Sequence, residues 1–149
     1  MFKRFPLLCL LEMALLSPAL NSAMAAPMTV IKQDGREVTL DVSVADTAEK
    51  QRKGLMFVQA MPPKSGMVFP MQPPRQARFW MRNTLIALDM IFILPGGLIG
   101  QIVTRSDTQS DKTTASLQKV SAVLELNAGA AQKLGIAVGD IVRMDEVDF

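Results

Sequence analysis

The residues with the greatest capacity for chemistry lie in one stretch, RFWMRNTLIALDMIFI, residues 78–93. Its tryptophan, Trp80, is the only one in the chain and stands between Arg78 and Arg82. Because successive side chains of a strand point to opposite faces, these three residues would share one face. An indole between two guanidiniums is a platform for an anionic or planar ligand, such as a sugar, a peptide carboxylate or a lipid head group. Alternatively, Trp80 covers one end of the fold while the arginine stems lie along it and reach solvent.

Two polar residues, Asn83 and Thr84, follow this platform directly. Their side chains can hydrogen-bond the neighbouring backbone and end the strand in a turn. Such a turn would also present an amide and a hydroxyl to any ligand stacked on the indole. The predicted ligand-binding residues are therefore Arg78, Trp80, Arg82, Asn83 and Thr84.

Two acids, Asp89 and Glu125, stand inside apolar runs, LDMIFI and VLEL. A buried carboxylate needs a partner, so we expect Asp89 to pair with Arg82, with Arg78 or with several backbone amides. If the two acids converge at one mouth of the fold, a separation of about 5–9 Å would suit glycosidic hydrolysis. Asp89 and Glu125 are thus the candidate catalytic residues of a carboxylate-dependent hydrolase acting on envelope glycan. Pairing with arginines is the structural alternative.

The composition excludes several other chemistries. The chain has no histidine and no tyrosine, and its single cysteine is Cys9. The usual general base and the usual zinc ligand are therefore missing. Methionines could suggest a soft metal such as Cu(I), but they show no M-x-M or M-x-x-M cluster, which favours core filling. These methionines are Met56, Met61, Met67, Met71, Met81 and Met90. We expect neither a metal nor a cofactor.

Residues 1–25 have the pattern of a signal peptide. Lys3 and Arg4 precede an apolar run that closes on Ala23-Met24-Ala25. A basic start, an apolar centre and small residues at the cleavage site are typical of secretory leaders. The apolar run is shorter than the roughly 20 residues of a spanning helix. We expect cleavage after Ala25 and a periplasmic or secreted protein without a stable membrane span, while an uncleaved anchor is the alternative.

The remaining segment, residues 26–149, has the length of one domain. It keeps all but two of the 16 basic residues and all but one of the 14 acidic ones, a balance that does not favour nucleic acid. Alternating apolar and polar residues predict strands at 28–33 and 37–44, joined by a type I′ turn at Asp34-Gly35. Two further strands are predicted at 88–94 and 98–104.

Two short helices and two closing strands complete the predicted elements. Asp46 caps the first helix, with Glu49 in a capping box, and Gly54 ends it. Asn127 caps the second helix and Gly135 ends it. SAVLEL and DIVRMDEV are strands, and the polar segment 105–119 is a loop or lid. The sum is a mainly β, small barrel-like single domain with two short helices.

Several ordered phrases resemble one family. They are RKGLM, SGMVF, FWMRNTLIALDMIFI, and LELNAG with GIAVGDIV. Together they resemble the family called domain of unknown function 192, whose members are small, mainly β, barrel-like domains, often secreted and without an established activity. The proline-containing loops at 61–63 and 73–74 depart from that pattern.

The phrase around Gly139 and Asp140 resembles the closing element of cradle-loop and double-psi barrels. There the glycine permits a tight turn and the aspartate accepts hydrogen bonds from loop amides. We therefore expect Gly54, Gly139 and Asp140 to be structural turn residues. The favoured function is a secreted or periplasmic, non-enzymatic binding or accessory module for a small molecule. The alternatives are the hydrolase and a structural partner of another envelope protein, which would expose an apolar patch.

Overall fold

Nine strands and two short helices follow one another in the computed structural model, which describes residues 25–149. Nearly all of the predicted signal peptide, residues 1–24, lies outside the described residues. The elements are β1 (Ala26–Ile31), β2 (Glu37–Val44), α1 (Ala48–Lys53), β3 (Ser65–Arg75), β4 (Arg78–Phe79), β5 (Leu88–Ile93), β6 (Ile99–Arg105), β7 (Thr114–Ala115), β8 (Val120–Asn127), α2 (Ala130–Leu134) and β9 (Ile141–Arg143). In the described part of the chain, no helix is long and apolar enough to cross a membrane.

Seven of the strands form one sheet in the order β6-β5-β8-β3-β2-β1-β9, and β4 pairs with β7 in a second, two-stranded sheet. The edge strands β6 and β9 of the large sheet approach each other, as the β-bridge between Leu98 and Ile141 shows. Val142 N–H also donates to the Gly97 carbonyl, at 2.8 Å. The sheet is therefore barrel-like without being a continuous closed barrel, and the predicted fold class of a mainly β single domain with two short helices is confirmed.

Two apolar clusters pack on the two faces of the central strands. Strand β8 lies between β5 and β3 and is buried over nearly its whole length. Leu124 and Leu126 join the first cluster, with Ile91 and α2, while Val123 joins the second. Buried methionines of the second cluster include Met71, Met81 and Met90, which is the predicted core-filling role.

The β1–β2 turn differs from its prediction. A type I′ turn needs positive φ at both central residues. Gly35 has φ of 82°, but Asp34 is not among the described residues with positive φ. Lys32 N–H instead reaches the Arg36 carbonyl, at 2.8 Å. The type I′ prediction is therefore wrong, and a longer turn joins the strands.

Helix α1 ends as predicted and begins one residue later. Gly54 occupies its C-terminal cap with φ of 47°. At the start of the helix, the hydroxyl oxygen of Thr47 accepts from Lys50 N–H. Asp46, the predicted cap, instead accepts from the Lys50 ammonium, at 2.6 Å. Both residues can cap a helix, and their positions relative to the first turn decide between them.

The start of α2 also differs from its prediction. Asn127 belongs to β8, and its amide donates to the Met61 carbonyl at 2.9 Å, so it does not cap α2. Gly129 occupies the N-cap position without a side-chain hydrogen bond. Gly135 ends the helix with φ of 65°, as predicted.

The segment 105–119, predicted as a polar loop or lid, carries strand β7, which pairs with β4. Arg105 is buried and organises the segment through Asp107, at 2.7 Å, and through the Lys112 carbonyl, at 2.9 Å. The hydrogen bond from Arg105 holds the pKa of the Asp107 carboxyl well below its usual value. Apolar periodicity could not reveal this order, because it depends on the ion pair and hydrogen bonds of one buried arginine.

The closing turn before β9 has the arrangement that its sequence suggested. Asp140 is buried, and its carboxylate accepts from the backbone amides of Gln33, at 3.1 Å, and Ala137, at 2.8 Å. Gly139 has φ of 96°, and a Cβ there would lie 2.9 Å from the Gln33 side chain. These two residues join the β1–β2 turn to the last strand.

Candidate ligand groove

An open groove of about 640 Å³ lies between α1, the end of β3 and the segment that begins with β4. Four arginines line it, and no aspartate or glutamate does. They are Arg52 from α1, Arg75 from β3, Arg78 from β4, and Arg82. The remaining wall is apolar or uncharged and includes Trp80 and Gln51. The groove therefore combines concentrated positive charge with one large aromatic surface.

Strand alternation positions Trp80 on this groove. Phe79 points inward and meets Phe69 edge to face, with ring centroids 5.1 Å apart. Met81 is fully buried. Trp80, between them, keeps 45% of its surface exposed. Trp80 is thus accessible, as a ligand platform requires, although the regular strand β4 is only two residues long.

Arg82 stacks on the indole. Its guanidinium carbon lies 4.3 Å from the Trp80 ring centroid, which is a cation–π contact. The same guanidinium binds the carboxylate of Asp111, at 2.6 Å. This exposed pairing lowers the pKa of Asp111 through the hydrogen bond from Arg82. Arg52, Arg75 and Arg78 form no ion pair with any described residue.

Asn83 and Thr84, which were predicted to contact a ligand, form the turn that follows Trp80 and Arg82. Asn83 has φ of 55°, a conformation that asparagine tolerates. Thr84 N–H donates to the Met81 carbonyl at 3.0 Å, and its hydroxyl donates to the Arg82 carbonyl at 3.3 Å. Asn83 and Thr84 do not line the groove. Of the five predicted ligand-binding residues, the structure brings Arg78, Trp80 and Arg82 together there.

Sequence reasoning missed Arg52 and Arg75. Arg52 comes from a helix far from Trp80 along the chain, so no local pattern connects them. Arg75 follows the pair Pro73-Pro74, where the β3–β8 register shifts. Proline has no N–H to donate to the ladder, which explains an irregularity at this point. The only hint in the sequence that Arg75 belongs to the site was its place in the segment PPRQAR, three residues before Arg78.

A second cavity, of about 40 Å³, adjoins the groove. Arg52, Trp80, Thr84 and Glu125 are among its lining residues. Glu125 is 4% exposed, and its burial raises the pKa of the carboxyl to about 8. Burial is the sole cause of that shift, so no group in residues 25–149 offsets it by donating a hydrogen bond. A largely neutral carboxylic acid therefore faces the small cavity at pH 7.

The comparisons with known proteins assign the family. The family model for domain of unknown function 192 (DUF192), described as an uncharacterized ACR, matches residues 29–144. The chain belongs to the DUF192 family. The resemblance inferred from the sequence is confirmed.

Two solved structures are similar to this DUF192 chain. One is a protein from Sinorhizobium meliloti described as a proposed transcription regulator, with 35% identity and a TM-score of 0.77, covering 79% of this chain and 92% of that one. The other is a protein of unknown function from Novosphingobium aromaticivorans, with 34% identity and a TM-score of 0.78, covering 85% and 89%. No curated protein matches the chain significantly.

In this DUF192 domain, Asp89 pairs with one backbone amide and one hydroxyl, and not with either of the arginines that were predicted as alternatives. It is 1% exposed, and one carboxylate oxygen accepts from the Thr104 hydroxyl at 2.6 Å. The other accepts from the Ala131 backbone amide at 3.0 Å. The prediction of an arginine partner is wrong, because Asp89 points to the face that carries α2. Asp89 caps the second helix of the DUF192 fold from a neighbouring strand.

The predicted catalytic pair is also wrong for this DUF192 chain. Asp89 stands opposite Leu126, and Met90 stands opposite Glu125. Opposed residues of an antiparallel pair share a face, and the next residue along lies on the other. Asp89 and Glu125 therefore lie on opposite faces of the sheet and cannot act on one glycosidic bond. Among residues 25–149, no group of three or more acidic or other ligating side chains is arranged to hold a metal ion.

Proposed function

We propose that this protein is a non-enzymatic binding module for a small oxyanion with a planar apolar part, such as an aromatic carboxylate. The arginine-lined groove containing the half-exposed Trp80 carries this proposal. Guanidinium groups match the geometry of carboxylate and phosphate with two parallel hydrogen bonds. The indole supplies a stacking surface for the planar part.

Charge supports an anionic ligand over a neutral one. Three of the four arginines are without an ion-pair partner among the described residues, and the groove has no acidic lining. A concave site lined by one sign of charge focuses its field and attracts the opposite sign. Arg82, bound to Asp111, serves mainly to hold the indole in place.

The leader-like residues 1–25 support a place of action outside the cytoplasm, in the periplasm or beyond it. In that compartment the module would capture its ligand without a cofactor. A hydrolase that uses Asp89 and Glu125 together is excluded, because the two acids lie on opposite faces of the sheet.

Docking to another envelope protein is a second candidate function. Phe57 favours it, since this large side chain is 64% exposed and its backbone N–H donates to the Asn83 carbonyl in the turn beside the groove. A photo-crosslinker at position 57 tests this candidate in the native envelope. Capture of one defined protein would support docking, and an unlinked monomer would exclude it.

Benzoate is a suitable probe for the primary proposal. Benzoate binding, followed by Trp80 fluorescence at low salt, should saturate, while neutral benzamide should not bind. Arg78→Gln should weaken benzoate about tenfold, as expected for a lost charge-assisted hydrogen bond. Arg143→Gln is the matched control, because Arg143 is an exposed strand arginine outside the groove. Equal losses in both variants, or equal binding of benzamide, would overturn the proposal.

A further inference from the structure

We propose that the Glu125 carboxyl donates a hydrogen bond to the bound ligand, and that the ligand is an oxyanion shared between Glu125 and Arg52. This inference rests on the proposed function and names the chemistry at the floor of the same site. A ligand oxygen would enter the small cavity, while the planar part of the ligand remains against Trp80.

The groove and the small cavity share part of their lining. Arg52, Met56 and Trp80 line both the groove and the small cavity. Of the two cavities, Glu125 lines only the small one. A volume of about 40 Å³ has room for a water molecule or a single ligand oxygen. The small cavity is therefore a polar extension of the groove into the second apolar cluster.

Glu125 is a buried polar group with nothing in the described chain to satisfy it. Every fully buried side-chain nitrogen or oxygen of the described residues has a hydrogen-bond partner. The Glu125 carboxyl has none, so its oxygens must be reached from the small cavity that it lines. Native proteins pair their buried polar groups, so we expect water or a ligand group in the small cavity to pair with the Glu125 carboxyl.

The surroundings of the carboxyl decide which kind of ligand group fits. Arg52 and Lys53 of α1 line the same cavity and would repel a ligand ammonium group. From β3 and β5, the residues opposite Glu125 are the uncharged Met67 and Met90. A neutral carboxyl carries one O–H donor. A ligand oxyanion can accept from that O–H and from Arg52 together.

Deprotonation of Glu125 should abolish this contact. An ionised carboxylate has no proton to donate and repels the ligand oxyanion. Burial places the pKa of Glu125 at about 8 in the unliganded protein. The contact is therefore present below that value and is lost as the pH rises through it.

The test is benzoate affinity at about pH 6.5 and about pH 9.5, where benzoate itself stays ionised. The wild type should lose at least tenfold in affinity at the higher pH, because a hydrogen bond to a charged group is lost. Glu125→Gln keeps a neutral donor and should bind equally well at both values. Glu37→Gln is the matched control, because Glu37 is an exposed strand acid outside both cavities, and it should retain the loss seen in the wild type.

Glu125→Met is the second variant, since it fills the same space without a donor. It should fold and should bind benzoate at about pH 6.5 about tenfold more weakly than the wild type. Equal wild-type affinity at both pH values, or an unchanged pH dependence in Glu125→Gln, would overturn the role of Glu125 while the groove proposal stands. Absence of benzoate binding at both values would overturn both proposals.

Discussion

Asp89 and Glu125 are neighbours on the paired strands β5 and β8, but only Asp89 has hydrogen-bond donors from the described chain. Both are almost fully buried, with exposed fractions of 1% and 4%. Asp89 accepts hydrogen bonds from a hydroxyl and from a helix amide. Glu125 lacks a donor and lines a small cavity that shares residues with the arginine groove. Two acids of nearly equal burial therefore differ in their partners, and the proposed functional role of Glu125 depends on that difference.

The two faces of the sheet create this contrast. On the Asp89 face, α2 packs against the first apolar cluster and offers an unsatisfied N-terminal amide. On the Glu125 face, the second cluster is made of apolar side chains such as Phe69 and Met90. The Glu125 carboxyl on that face is surrounded by apolar side chains and by the small cavity, neither of which supplies a hydrogen-bond donor from the described chain. The two acids are offset by one residue in the β5–β8 register, and this offset decides which of them finds a hydrogen-bond donor.

The largest expected effect is the pH dependence of stability caused by Glu125. Its folded pKa, about 8, is raised above the ordinary 4.5, so its favourable contribution is complete below 4.5 and is lost as the pH rises through about 8. Between pH 5 and 9 the wild type should lose on the order of 4 kcal/mol of unfolding free energy relative to Glu125→Gln. Urea unfolding of both proteins measures this. Parallel pH profiles would show that Glu125 does not titrate in the buried state.

The next effect concerns Asp89. Asp89→Ala should lower the free energy of unfolding by about 3 kcal/mol, because the Ala131 amide loses its acceptor and a cavity remains. Asp89→Asn keeps one acceptor oxygen and should cost less. Urea unfolding at pH 7 compares the three proteins. An alanine variant as stable as the wild type would remove the distinction drawn between the two acids.

A smaller effect is expected at Trp80. Iodide should quench its fluorescence in the folded protein more efficiently than caesium, because the arginines attract the anion. Trp80→Phe should change the unfolding free energy by about 1 kcal/mol or less, since the side chain is half exposed, and should weaken benzoate several-fold. Equal quenching by the two ions would argue against a positively charged groove.

The smallest effect is expected for Asp111→Asn. The Arg82–Asp111 pair is exposed on both sides, with 48% and 69% of the side chains accessible, and such pairs contribute little to stability. The melting temperature should therefore stay unchanged, while benzoate should bind about twofold more tightly once the nearby negative charge is gone. A large loss of stability would mean that this pair organises the 105–119 segment.

Much of the local structure could be predicted from the sequence. Alternation located β2 closely and placed Trp80 outward between inward-pointing neighbours, while an apolar run located β5. Gly54 and Gly139 stand at turns with positive φ. The two-residue period of a strand is a property of the backbone itself, so it is visible without knowledge of the fold.

What only the tertiary structure decided is which elements meet. A backbone amide of α2 donates to Asp89, so this buried acid is paired without an arginine. The register between β5 and β8 places Asp89 and Glu125 on opposite faces of the sheet. Arg52 and Arg75 come to the groove from a helix and from an irregular strand end. The sequence by itself determined which side chains are buried acids, cations and aromatics along each strand. Their partners depend on contacts between segments far apart in the chain, and those contacts are set by packing of the whole core.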